Sequence, residues 1–276
     1  RASRRFGRLT KMIYIAAHRA ISDAGIDDPS TIPACVATCL GETQAALGIL
    51  EQIHQSKGAV ISPALVPNSV HNAALGYLFI GQKNHSEAFT VSQGWLSAEA
   101  ALATADDMLE MGFGELILAA VGDEAYPEWT ERLKSLGDYS SAQKLEEEAF
   151  EEGAAALILG SSPCKRDLGL VASGSIRWDG TPDGLKKLLV SVGVAVSADT
   201  EIRVRKSADG KRLREKAALA FGKTNEEIFF DTEGFGTVQT GPLLRLIEAC
   251  LSERKTELLL LGAEIDELAY IHWKRK

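Results

Sequence analysis

The chain has 276 residues, 45% of them hydrophobic and 25% charged, with a formal net charge of −8. These fractions argue against wholesale disorder, which needs few apolar residues and high charge. With 38 Asp and Glu against 30 Lys and Arg, the chain also lacks the basic surface that binds nucleic-acid phosphates. No apolar run approaches the roughly 18–20 residues of a membrane span, and no secretion signal is visible, so a soluble cytoplasmic protein is expected. The chain begins at Arg1 rather than Met, and further sequence is expected upstream. Without a secretion signal, Cys35, Cys39, Cys164 and Cys250 are read as reduced buried thiols, and no second Cys or His pair stands at zinc spacing beside Cys35 and Cys39. No metal and no cofactor is implied.

The first element is a helix, with Ile13, Ala16, Ala17, Ala20, Ile21 and Ala24 at three- and four-residue steps and Gly25 as its cap. A buried strand from Ala34 to Cys39 ends at Gly41, and a helix follows from Glu42 to Ser56. Pro63, Pro67 and Asn68 mark a loop. A helix from Ala73 to Ile80 precedes a short strand from Ala88 to Ser92. An alanine-rich helix from Ser97 to Met111 leads to the strand Glu115 to Val121. The charged stretch from Glu131 to Glu152 is expected to face solvent, and Ala154 to Leu159 reads as a further strand. Strands alternating with helices imply an α/β layered fold.

The second part repeats the first in outline. A helix–strand unit ends in Gly114-Glu115-Leu116-Ile117-Leu118, and a similar one ends in Thr256-Glu257-Leu258-Leu259-Leu260-Leu261-Gly262. Acidic residues follow both strands. The alternatives are a duplicated unit or chance likeness of two apolar strands. Ser161, Ser162 and Pro163 place a joint at 161–167, giving halves of 1–163 and 164–276.

Several passages carry a resemblance. Arg8-Leu9-Thr10 with Asp23-Ala24-Gly25-Ile26, then Ala37-Thr38-Cys39-Leu40-Gly41, then Pro67-Asn68-Ser69-Val70-His71-Asn72-Ala73, then Glu152-Gly153-Ala154-Ala155-Ala156-Leu157-Ile158-Leu159 stand in one order. That order resembles the β-ketoacyl synthase family, over about residues 5 to 160. The resemblance implies the thiolase-like, five-layered α-β-α-β-α fold built from two related halves. It also implies a two-fold dimer joined by the strand before the active-site helix, here Ala88, Phe89, Thr90, Val91 and Ser92.

The family's catalytic residue types are missing. Its cysteine sits at a helix N-terminus in T-V-D-T-A-C-S-S, with A-L six and seven residues beyond. Thr90-Val91-Ser92-Gln93-Gly94-Trp95-Leu96-Ser97 matches without a gap, Ala101 and Leu102 fall on the A-L, and Trp95 stands where the nucleophile would be. Indole has a donor N–H and no nucleophilic sulfur or oxygen. A two-residue shift puts Gln93 there, and glutamine replaces the cysteine in some chain-length factors. In the second half, Gly234-Phe235-Gly236-Thr237 resembles the family's G-H-T motif with Phe235 at the histidine and Phe230 at the lysine. The other family histidine falls near Val204. Only His272 lies beyond residue 85, so two catalytic histidines are absent whatever the register.

The resemblance therefore implies a non-catalytic, chain-length-factor-like subunit. Its expected partner is an active ketosynthase, as a heterodimer, in fatty-acid or polyketide-type biosynthesis. The alternatives are a homodimer binding an acyl or other small ligand, and an acyltransferase with relocated residues such as Cys39, His71 or Asp123. Asp123 and Glu124 are read either as a carboxylate pair or as strand-end residues that are solvated or held by structural hydrogen bonds. The run Arg203, Arg205, Lys206, Lys211, Arg212, Arg214 and Lys216 is either a solvated face or a patch that steers an acidic acyl carrier protein.

Overall fold

The computed structural model describes residues 5–58, 61–124, 128, 131, 134–135, 152–161, 168–205, 208–231, 241–252, 255, 257–264 and 267–275. Most of the acidic stretch 131–152, the joint beyond Ser161, Cys164, Lys206 and Phe235 lie outside these residues.

The first half runs α1 (Arg8–Asp23), β1 (Ala34–Ala37), α2 (Thr43–Gln55), α3 (Ala73–Gln82), β2 (Ala88–Val91), α4 (Ser97–Glu110), β3 (Leu116–Asp123) and β4 (Gly153–Gly160). The second runs β5 (Leu170–Arg177), α5 (Pro182–Ser191), β6 (Glu201–Arg205), α6 (Ala208–Phe221), β7 (Ile228–Asp231), α7 (Gly241–Leu251), β8 (Glu257–Glu264) and β9 (Glu267–Lys274). One sheet has the order β2-β1-β3-β4 and the other β5-β9-β8-β6-β7. In each, a central strand pairs in parallel on one side and antiparallel on the other. β3 joins β1 and β4, and β8 joins β6 and β9. The likeness of the two apolar strands is thus a repeat of architecture: α1-β1-α3-β2-α4-β3-β4 corresponds to α5-β6-α6-β7-α7-β8-β9.

The period-two alternation of strand side chains assigns the layers. Cys35, Ala37, Ile117, Ala119 and Val121 of the first sheet face one way, and Leu258, Leu260, Ile271 and Trp273 of the second face them. Between the sheets lie α4, through Ala98, Ala101, Leu102, Ala105 and Met108, and α7, through Leu243, Leu246 and Ala249. Ala34, Val36, Leu118 and Ala120 point outward onto α1 and α3. Ile202, Val204, Leu259 and Leu261 point outward onto α5 and α6. Five layers result, α-β-α-β-α, with α4 between the sheets. Its alanines are small enough for strands to approach on both sides, as interior packing density requires. Gly122 of β3 serves α1 in the same way, since a Cβ there would come within 2.8 Å of Ile13 Cγ1.

Candidate functional site

The entry to α4 follows β2 directly. The turn Gly94–Leu96 begins with Gly94 at φ 50° and is closed by Leu96 N–H donating to Gln93 O at 3.0 Å. Buried Ser97 accepts from Gln93 N at 3.1 Å and donates to Gly94 O at 2.7 Å. The hydroxyl that could have faced a ligand is committed to shaping the turn. Trp95 is half-buried here, one residue before buried Leu96. The side chain of Gln93 turns to the second half, where its Nε2 donates to Glu267 Oε1 at 2.6 Å. Ser175 Oγ donates to the same oxygen.

A pair absent from the sequence reading lies one turn further on. Glu99 of α4 and Arg205, the last residue of β6, are 2% and 4% exposed. Arg205 Nη2 donates to Glu99 Oε1 at 2.6 Å and to Oε2 at 2.7 Å. Arg205 is therefore not part of a solvated basic face, and Arg203 of the same run is bound to Glu201 at 2.5 Å. Lys211 and Arg212 remain exposed on α6. Val204, the position matched to a family histidine, is fully buried on the face toward α5 and α6. Phe230 shares its face of β7 with Ile228, and its ring lies 4.6 Å from the guanidinium of Arg214 on α6.

The relocated-residue alternative gathers at the carboxyl end of β3. Asp123 accepts from Thr38 Oγ1 at 2.7 Å, Cys39 N at 3.0 Å and Leu40 N at 2.8 Å. Burial pushes its carboxyl up, and the Leu40, Cys39 and Thr38 donors pull it part of the way back. The ring of exposed His71 lies 3.6 Å from the place of a Cβ on Gly41. Glu124 accepts from Gln44 N at 2.6 Å and is also pushed up, by burial first and by neighbouring Glu42 and Glu152. Both acids are buried and hold backbone turns, which decides for structural hydrogen bonding over strand-end solvation. Burial raises the Cys35 thiol to about 12 and the Cys250 thiol to about 11, so neither is a thiolate near neutral pH. Among the described residues, no cluster of His, Cys, Asp and Glu could hold a metal ion.

The free side of β2 is the second candidate surface. β2 pairs with β1 alone among the described strands, and Ala88 and Phe89 are exposed. A shallow groove beside it is lined by Asn72, Leu75, Gly76 and Phe79 of α3 and its approach, with Ala88 and Thr90. Ser92 falls just beyond the strand.

Two sheets enclosing α4 and α7, with helices outside both, make this a thiolase-like fold. The chain belongs to the β-ketoacyl synthase family: residues 2–153, more than half of it, match the β-ketoacyl synthase N-terminal domain. No curated protein matches the chain significantly. Its structure is similar to the ishigamide ketosynthase/chain length factor, at 16% identity and TM-score 0.76, covering 100% of this chain and 82% of that one. It is similar to the AntDE:AntF complex, a type II PKS acyl-carrier protein with its ketosynthase bound to the hexaketide, at 16% identity and TM-score 0.75, covering 99% and 84%. A β-ketoacyl synthase from Burkholderia phymatum STM815 aligns at 13% identity and TM-score 0.71, covering 99% and 84%. Among the described residues, no helix is long and apolar enough to cross a membrane.

Proposed function

We propose that the chain is a non-catalytic ketosynthase-like subunit, resembling a chain-length factor, that pairs with an active ketosynthase in polyketide or fatty-acid-type biosynthesis. One observation carries the reading: the family scaffold is kept around α4, while its entry presents Trp95 and Gln93 instead of a thiol. A thiolate is the nucleophile that carries an acyl group in condensation, and the helix N-terminus would favour it. Here that dipole has no sulfur to act on at either matched position. His272, the single histidine beyond residue 85, lies in β9 and is bound to Glu257 at 2.9 Å.

The open edge of β2 supports the pairing half of the proposal, because an unpaired edge invites another strand. A second β2, from an active ketosynthase or from a second copy, would cover Ala88 to Val91 and the groove beside α3. Exposed Lys211 and Arg212 offer positive charge to an acidic acyl carrier protein brought by the complex.

Co-expression with ketosynthases, followed by purification through a tag on this chain, tests the reading. A stable one-to-one complex is expected, and Phe89→Asp at the strand edge should reduce its recovery at least about tenfold, a loss of some 1.4 kcal/mol. Purification alone as a homodimer with every ketosynthase tried would replace the heterodimer by the self-paired alternative. Transfer of an acyl group to any cysteine of this chain would overturn its non-catalytic status.

A further inference from the structure

The Glu99–Arg205 pair joins residues 106 apart in sequence and belongs to both halves: Glu99 stands in the first turn of α4, Arg205 at the end of β6. Backbone space is reserved for it. Gly262 of β8 lies alongside, and a Cβ there would come within 2.9 Å of Glu99 Oε1 and 3.0 Å of Leu96 Cδ2. Arg205 Nε and Nη1 are buried with no acceptor among the described residues, so the guanidinium is held by the Glu99 carboxylate. The second polar tie, from Gln93 Nε2 to Glu267 Oε1, fastens the same segment to the start of β9.

Such a pair is a poor device for stability alone. Removing two charges from water costs several kcal/mol per ion, and well-packed apolar residues of similar volume often serve as well or better. It is a good device for position. The apolar cluster that joins the halves around α4 is built of Ala, Leu, Ile, Val, Met and Trp side chains, whose attraction is non-directional. A buried charge pair has one satisfactory arrangement, and a slip of one sheet against α4 would break the bidentate contact of Arg205 with Glu99.

We propose that Glu99 and Arg205 are positioning residues that set where the second half docks on the entry of α4, with Gln93–Glu267 as the auxiliary tie. The segment that holds the nucleophile in related enzymes serves here as a junction between the halves. That last statement rests on the non-catalytic reading above. The test reads structure, and an acyl-transfer assay reads chemistry, so either can fail alone.

The test is a cycle of Glu99→Leu, Arg205→Met and the double variant on the whole chain. Each single variant removes one side of the buried pair, and its thermal midpoint should fall by about 10 °C. The double variant should melt above both. Hydrogen exchange separates position from mere stability. In the wild type, the amides of Ala101 to Ala103 and those of β6 should open together, with one denaturant dependence. In the double variant the α4 amides should open separately and at least about tenfold faster, even with the midpoint recovered. Additive single effects, or shifts under about 2 °C, would overturn the coupling. Unchanged exchange in the double variant would overturn the positioning role, and this comparison stands even if a single variant fails to fold.

Discussion

The two halves share an order of elements and differ in how they satisfy buried carboxylates. Within the first half, Glu42, Asp123 and Glu124 use backbone N–H groups and hydroxyls, while Glu99 reaches across to Arg205 of the second. Glu42 accepts from Thr10 N at 2.8 Å in the first turn of α1, Glu124 from Gln44 N in the first turn of α2, and Asp123 from the turn after β1. These acids cap helices and turns belonging to other segments, where helix N-termini favour negative charge. The second half uses cations as well. Glu201 meets Arg203 at 2.5 Å and Lys255 at 3.2 Å, and Glu257 is bound by Thr200 at 2.7 Å and His272 at 2.9 Å. The result is a difference in sign. Burial outweighs the donors at Asp123 and Glu124, whose carboxyls lie above the ordinary range. Burial also opposes ionisation of Glu201 and Glu257, but Arg203 and Lys255, and the Thr200, His272 and Ser197 partners, outweigh it and hold both below. Asp123 and Glu124 of the first half thus resist charge, while Glu201 and Glu257 of the second keep it.

The strongest way to break this contrast is Asp123→Ala. It would leave buried Thr38 Oγ1 and the part-buried N–H groups of Cys39 and Leu40 without their shared acceptor, at a cost of about 3–5 kcal/mol. Denaturant unfolding measures the loss, and Asp123→Asn should recover part of it. A loss under about 1 kcal/mol would show that the turn finds other partners.

Ala101→Leu probes the packing the halves share. Ala101 is fully buried on α4 between the sheets, and added bulk there should cost about 1–3 kcal/mol. The same change at exposed Ala198 should be nearly neutral and serves as the control.

The smallest effect sharpens the contrast itself. For Glu124, a folded pKa above the unfolded one means that stability falls as pH rises between the two values. For Glu257 the folded pKa is lower, so its contribution is complete above the unfolded pKa and is lost as pH falls through the folded one. Thermal midpoints between about pH 4 and 7 should show the decline with rising pH flattened in Glu124→Gln, and the loss on acidification reduced in Glu257→Gln. Flattening of the same limb by both variants would break the comparison.

Much of the first half was legible because its elements are long or strongly patterned. The α1 pattern Ile13, Ala17 and Ile21 is the buried stripe of that helix, and β3 reads as a continuous apolar run because both its faces are covered. Boundaries were less legible. The strand read from Ala34 to Cys39 stops at Ala37, because Asp123, distant in sequence, takes the N–H groups of Cys39 and Leu40. In the second half, β6 and β7 are short and interleave Arg203, Arg205 and Asp231 with apolar residues, so neither announces itself as a strand. The missed Glu99–Arg205 pair left one trace: a single acid among Ala98, Ala100, Ala101 and Leu102 on a helix buried on both sides, where an ion needs a partner.

The sequence by itself determined the family, the layered fold and the lack of a thiol at the two matched positions before α4. Residue identity and local periodicity carry all three. Only the tertiary structure decided that Gln93 and Glu99 turn to the second half, that Asp123 and Glu124 cap backbone turns, and that Arg205 leaves the basic face for the interior. Each depends on contacts between residues some 80 to 174 positions apart. A carboxylate's role is set by what burial brings to it, and no local pattern records that.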